Sequence, residues 1–86
     1  MHPSRHLDLR LLTSLETLLE TRSVSRTADR LGVSQPAMSR ILARLRDQLN
    51  DPLLVRGRRG MVLTPRAEAL AAPLQGWLRQ GEALLR

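Results

Sequence analysis

Cysteine, tyrosine and phenylalanine are missing from this 86-residue chain, and their absence removes several kinds of chemistry. Without cysteine there are no disulfides, no thiolate metal sites and no cysteine nucleophile, a composition that suits a reducing cytosol. Trp77 is the one aromatic side chain, so the base-stacking platforms of RNA-recognition and oligonucleotide-binding sheets cannot be built. His2 and His6 sit together in the opening residues. No trio of serine, histidine and acid and no metal-ligand spacing emerges around them, which argues against an enzyme and against a resident metal or cofactor. No run approaches the ~18 apolar residues of a membrane span, and the opening MHPSRHLDLR lacks the apolar core of a signal peptide. The expectation is a soluble cytoplasmic protein with no membrane partner.

What is present is positive charge. Fourteen basic residues stand against 8 acidic ones, a formal net charge of +6, so the natural partner is a polyanion, nucleic acid before an anionic membrane surface. All the basic residues are arginine, which can reflect genomic base composition and is not by itself a sign of phosphate binding. The length suits a single domain near the lower end of what a hydrophobic core stabilises.

Apolar periodicity divides the chain. Leucines at 11, 12, 15, 18 and 19 mark one face of a helix from Asp8 to Glu20, with Asp8 as a cap or first-turn acid. Ser23 or Ser25 caps a short second helix running to about Leu31, with Val24, Ala28 and Leu31 inward and Gly32 in the left-handed position that ends it. Ser34 caps a third helix, about 34–49, in which Pro36 lies in the first turn, where its missing N–H has no partner to lose. Met38, Ile41, Leu42, Leu45 and Leu49 form its apolar stripe. Pro36, Arg40, Ala43 and Asp47 centre the opposite face, with Gln35 and Ser39 on one flank and Arg44 on the other. The runs LLV (53–55) and MVL (61–63) flank RGRRG and predict a hairpin with an arginine-rich tip. From Pro65, after a Thr64 cap, Ala67, Leu70, Leu74, Trp77, Gly81 and Leu84, with Ala71, Leu78 and Leu85 beside them, predict a last helix with a wide apolar seam, kinked at Pro73.

Two helices joined by a glycine-containing turn, the second polar at its N-terminal end, describe a helix-turn-helix, and the hairpin makes it winged. The stretches SRTADRLGVSQPAMSRILARLRDQLNDPLLVR and LTPRAEAL resemble the DNA-binding domain of LysR-type transcriptional regulators over about residues 7–85. Ala28, VSQPAMS at 33–39, Leu42, Leu45, DPLLVR at 51–56 and LTP at 63–65 occur in order and at the family's spacing. Departures are the leucines in helix one where an aromatic is common, Arg26-Thr27 in place of a small pair, and Arg66 after the proline. The resemblance implies a mainly α fold, with a winged helix-turn-helix over 1–64 and a long linker helix over 65–86 that pairs in a homodimer. It also implies a larger C-terminal domain binding a small-molecule inducer. That domain is not among these 86 residues, so the chain is expected to be a piece of a longer protein.

Within that frame Gln35 is the candidate for reading a base edge in the major groove, the alternative being a solvated residue at the helix start. Ser39 and Arg40, one turn on, reach base edges or phosphates or stay on an exposed face, with Ser34 and Arg44 beside them. Pro36 either meets a thymine methyl or only starts the helix. Ser25 and Thr27 offer hydroxyls and N–H groups to a phosphate, plain capping being the competing role for Ser25. Arg56, Arg58 and Arg59 approach the minor groove, or the last two form a solvated tip. Leu70, Leu74, Trp77, Leu78, Leu84 and Leu85 are assigned to dimer or core packing. The rivals are weaker. GRRG matches the loop of KH RNA-binding modules but joins strands here, and the polar face of 66–86 carries Glu68 and Glu82 where a membrane-surface helix needs a basic stripe.

Overall fold

The computed structural model describes residues 9–86, in the order α1 (Leu9–Thr21), α2 (Val24–Leu31), α3 (Gln35–Leu49), β1 (Leu54–Gly57), β2 (Gly60–Leu63) and α4 (Pro65–Leu85). The expected roles of Asp8, His2 and His6 fall outside the described residues. α1 is the central element. Its buried Leu11, Leu15, Leu18 and Leu19 meet α2, α3 and α4 on different sides. Ala28, Met38, Leu42, Leu45, Leu53, Leu54, Ala67, Leu74 and Leu78 complete one core. Leu18, Met38, Leu45 and Leu53 are fully inaccessible, and truncating any of these leucines to alanine would cost about 2–5 kcal/mol.

Each helix ends for a local reason. α1 stops at Arg22, which turns left-handed at φ 55° while its N–H donates to the Leu18 carbonyl at 2.8 Å. A left-handed residue with a Cβ is disfavoured by roughly 1–2 kcal/mol. Ser23, not Ser25, then caps α2, its hydroxyl accepting from the Arg26 N–H at 3.2 Å. Gly32 closes α2 at φ 70°, with Gly32 N–H donating to the Asp29 carbonyl and Val33 N–H to the Ala28 carbonyl, the paired bonds of a Schellman turn. Ser34 caps α3 as expected, accepting from Ala37 N–H at 3.2 Å, with Pro36 in the first turn. Asn50 ends α3 at φ 52°.

The hairpin is shorter and tighter than the sequence suggests. Leu53 lies outside it, and Arg56 and Gly57 belong to β1 itself. The strands pair antiparallel, Leu54 opposite Leu63 and Gly57 opposite Gly60, so only Arg58 and Arg59 form the loop. A Cβ on Gly57 would stand 2.9 Å from Val62 Cγ1 and 3.2 Å from the Gly60 carbonyl, so this position has no room for a side chain.

α4 begins at Pro65 behind Thr64, whose hydroxyl accepts from Ala67 N–H at 3.1 Å. It runs unbroken through Pro73, which lies on the exposed side, where water can satisfy the carbonyl left without a donor. The seam expected along α4 splits. Ala67, Leu74 and Leu78 are buried against the chain's own core and Leu70 is partly buried there, whereas Trp77 is 52% exposed, Leu84 84% and Leu85 73%. Leu74 and Leu78 are therefore intramolecular core residues and not contacts held in reserve for a second chain.

Candidate nucleic-acid interface

α3 presents its polar face outward because its apolar stripe is consumed by α1 and α2. Ser34, Gln35, Pro36, Ser39, Arg40 and Arg44 are all exposed; the first five belong to the N-terminal half of the helix and its cap, whereas Arg44 lies past its middle, at an opening beside α1. The side chain of Ser34 is committed as an acceptor to Ala37 but keeps its own proton to donate.

The two hydroxyls expected at the start of α2 separate. Ser25 is exposed and shares a hydrogen bond of 3.2 Å with the Ser23 hydroxyl. Thr27 is fully buried: its hydroxyl donates to the Ser23 carbonyl at 2.8 Å and lies 2.7 Å from that of Thr21. Thr27 cannot offer that group to a phosphate, and the expectation is corrected. It locks the α1–α2 turn, together with the Thr21 hydroxyl that accepts from Ser23 N–H at 3.1 Å. Nothing in the sequence distinguishes a threonine that meets another threonine across a turn from one that faces solvent.

On the wing, Arg56, Arg58 and Arg59 are exposed. The wing tip faces the α1–α2 turn across an open groove of about 550 Å³, lined among others by Arg22, Ser25, Arg26, Gln35, Arg59 and Met61. Arg22 and Arg26 were not singled out from the sequence; only the folded chain brings them opposite Arg59. The single ion pair among the described residues is Arg30 with Glu20 at 3.1 Å, and at half exposure such a pair contributes little. The arginines of α3, the wing and this groove therefore have no carboxylate partners there. A second opening, about 560 Å³, lies beside α1 and is lined by Leu9, Leu11, Leu31, Val33 and Ile41 together with Arg10 and Arg44.

The wing is held at its root. Asp51 carries a carboxyl below its ordinary value of 3.8, chiefly because the Thr64 hydroxyl donates to it, with burial opposing and Leu53 N–H and the Arg66 charge assisting. Arg46, on α3, donates through Nε to the Pro52 carbonyl at 2.8 Å and through Nη2 to the Leu54 carbonyl at 3.1 Å. Leu53 between them adopts φ 66°, a conformation the surrounding bonds enforce. No group of three or more metal-ligating side chains occurs among the described residues, and no helix there is long and apolar enough to cross a membrane.

Residues 9–68 match the family described as bacterial regulatory helix-turn-helix protein, lysR family. The chain belongs to that family. It is 57% identical over 68 residues to the HTH-type transcriptional regulator SyrM 2 of Sinorhizobium fredii, covering 79% of this chain and 20% of that protein. Among solved structures, a transcriptional regulator of Pseudomonas aeruginosa superposes with a TM-score of 0.81 at 44% identity, over 96% of this chain and 28% of that one. A BenM DBD in its catB site 1 DNA complex superposes equally well, with a TM-score of 0.81 at 28% identity over 92% of this chain and 89% of that one. The lysR-family fold, a mainly helical winged helix-turn-helix, is thus the one this chain adopts. The chain spans about a fifth of the length of the curated relatives it matches.

Proposed function

We propose that these residues form the DNA-reading part of a LysR-type transcriptional regulator that binds a specific double-stranded site as a homodimer. The observation that carries the reading is the single surface on which Gln35, Ser39 and Arg40 of α3 lie exposed beside the unpaired arginines of the wing. A DNA complex of a similar BenM domain supports it. In this reading α3 enters the major groove, where the Gln35 amide hydrogen-bonds a base edge and Pro36 meets a thymine methyl. Ser34, Ser39, Arg40 and Arg44 add base or phosphate contacts, Ser25 donates to the backbone, and Arg56, Arg58 and Arg59 lie along the minor groove or its phosphates. Thr27 acts only by holding the turn.

Residues 1–64 are the binding domain and 65–86 the pairing helix, about 30 Å long. Leu70, Trp77 and Leu84 recur every seven residues on one flank of α4, beside the buried Leu74 and Leu78, and this flank with Leu85 meets its equivalent in the partner. Two-fold pairing presents two copies of α3 to an interrupted palindrome. The chain works without enzymatic activity at the bacterial nucleoid in the cytoplasm, and a small-molecule inducer acts through a further domain of the whole regulator.

Titration of duplexes at rising salt tests the reading. Log affinity should fall against log salt with a slope near 0.9 per phosphate contacted, about that for B-form DNA, and a site selected from random duplexes should bind more tightly than random sequence. Binding that ignores salt would overturn it.

A further inference from the structure

The opening beside α1 has an aliphatic floor and a cationic rim. The floor comes from Leu9 of α1, Leu31 at the end of α2, Val33 in the following turn and Ile41 of α3. Leu9, Leu31 and Ile41 rest on the core but are only partly buried by it, and Val33 is 38% exposed. Arg10 of α1 and Arg44 of α3 form the rim. Both are exposed, and neither has an ion-pair partner among the described residues. No acidic side chain among those residues lines the opening. The Ser14 hydroxyl at its edge is spent on the Arg10 carbonyl at 2.9 Å, so the charged contacts left to offer are the two guanidinium groups. Apolar surface left in water and cations left without counter-charge are both relieved by one kind of occupant, an anion with an apolar body.

We infer that this opening is a binding site for a small amphipathic carboxylate, an aliphatic chain ending in a carboxylate head. The chain lies on Leu31, Val33 and Ile41. The head is taken by Arg10 and Arg44, whose planar guanidinium groups match the two oxygens of a carboxylate. At about 560 Å³ the opening falls in the size range of small-ligand sites, which are mostly apolar with a few polar groups that fix orientation. No aromatic side chain lines it, so it offers a flexible chain a surface to follow and a planar ring nothing to stack on. The site is separate from the groove between the α1–α2 turn and the wing, and it does not rest on the duplex-binding reading. Its occupant touches α1, the end of α2 and α3 together, so binding favours the folded chain over the unfolded one.

The 86-residue chain is titrated with octanoate, octanol and octylammonium, followed by backbone amide shifts and by melting. Octanoate should shift the amides of Leu31, Val33 and Ile41 and raise the melting temperature. Octanol should bind about threefold more weakly, and octylammonium should not bind. From hexanoate to decanoate, each added methylene should tighten binding about twofold to fourfold. Arg10→Gln, at an exposed position, should weaken octanoate about threefold and leave octanol as it was, whereas Arg79→Gln, the same charge change outside the opening, should do neither. Val33→Asp, in the exposed turn, should abolish octanoate binding. Octanoate and octanol binding alike, or Arg10→Gln binding octanoate as the parent does, overturns the site. Shifts confined to Trp77, Leu84 and Leu85 place the chain on the bare flank of α4 and also overturn it. If octanoate shifts nothing, two results reassign the opening, and each overturns the inference: a dimeric parent made monomeric by Val33→Asp assigns it to a second copy, and a leucine- and glutamate-rich helical peptide that shifts the same amides assigns it to a protein segment.

Discussion

Asp51 and Thr64, thirteen residues apart, share a hydrogen bond of 2.6 Å from the Thr64 hydroxyl to Asp51 Oδ2, and the same hydroxyl caps α4 by accepting from Ala67 N–H. Asp51 Oδ2 also takes Leu53 N–H at 2.8 Å, and Thr64 N–H donates to the Leu53 carbonyl at 3.0 Å. The end of α3, the root of the wing and the start of α4 are thus joined through one carboxylate.

Acid should undo that joint. The folded-state value of Asp51 is depressed from 3.8, so its stabilisation is whole above that pH and is lost as pH falls through the lowered value. Melting followed from neutral pH to about pH 2 should show the parent losing stability in that acid window, and Asp51→Asn should start lower and lose less there. Identical acid profiles would show that the carboxylate contributes nothing through its charge. Thr64→Ala removes both the cap and the hydroxyl donor and should lower stability by about 1–2 kcal/mol.

The two faces of α4 call for opposite outcomes from neighbouring substitutions. Trp77→Glu alters a half-exposed side chain and should keep the fold while the chain sediments as a monomer, loses the concentration-dependent stabilisation that pairing adds and loses the gain from a second half-site. Leu78→Glu forces a charge into the core, where the residue is 4% exposed, and should unfold the domain. A parent chain that is monomeric both free and on a full palindrome removes the dimer and leaves the fold intact.

Gln35→Ala should reduce affinity by about 1–3 kcal/mol on the selected site and relax preference at one base position. Arg56→Ala should weaken selected and random duplexes alike. Equal losses on both kinds of duplex for both variants would refute the separation of base reading from backbone holding.

Gly57→Ala tests whether the wing needs its tight strand pair. The added Cβ meets the stiff Val62 side chain and the Gly60 carbonyl, so the hairpin must open. Melting should shift down by about 1 kcal/mol, and affinity should drop with it. A variant with unchanged melting and binding would show the hairpin yielding without consequence.

The legible parts of this molecule were those governed by local rules. The stripe from Met38 to Leu49, the Ser34 cap with Pro36 behind it, the glycine at 32 and the paired apolar runs of the wing all declare themselves in sequence, because period, capping chemistry and turn conformation depend on residues within one or two turns. The misreadings came from contacts between elements. Thr27 looks like a phosphate donor until Thr21 is folded against it. The α4 seam looks continuous because period alone cannot tell the face that α1 covers from the flank left bare at Trp77 and Leu84. Arg22 and Arg26 gained their place only when the wing tip came to lie opposite them. The residues of the α3 surface were named correctly as exposed, whereas their individual contacts with DNA stand as proposals.

The arginine-only composition looked uninformative, since one cation is easily exchanged for another where only charge matters. At Arg46 it is not. Two nitrogens of one flat group address two carbonyls on either side of the left-handed Leu53, a reach that the single ammonium of lysine cannot divide between them. Arg46→Lys would keep the net charge and still release one of the two carbonyls. At this position the guanidinium serves as a two-pronged backbone brace, and its role would survive in a protein that never met a polyanion.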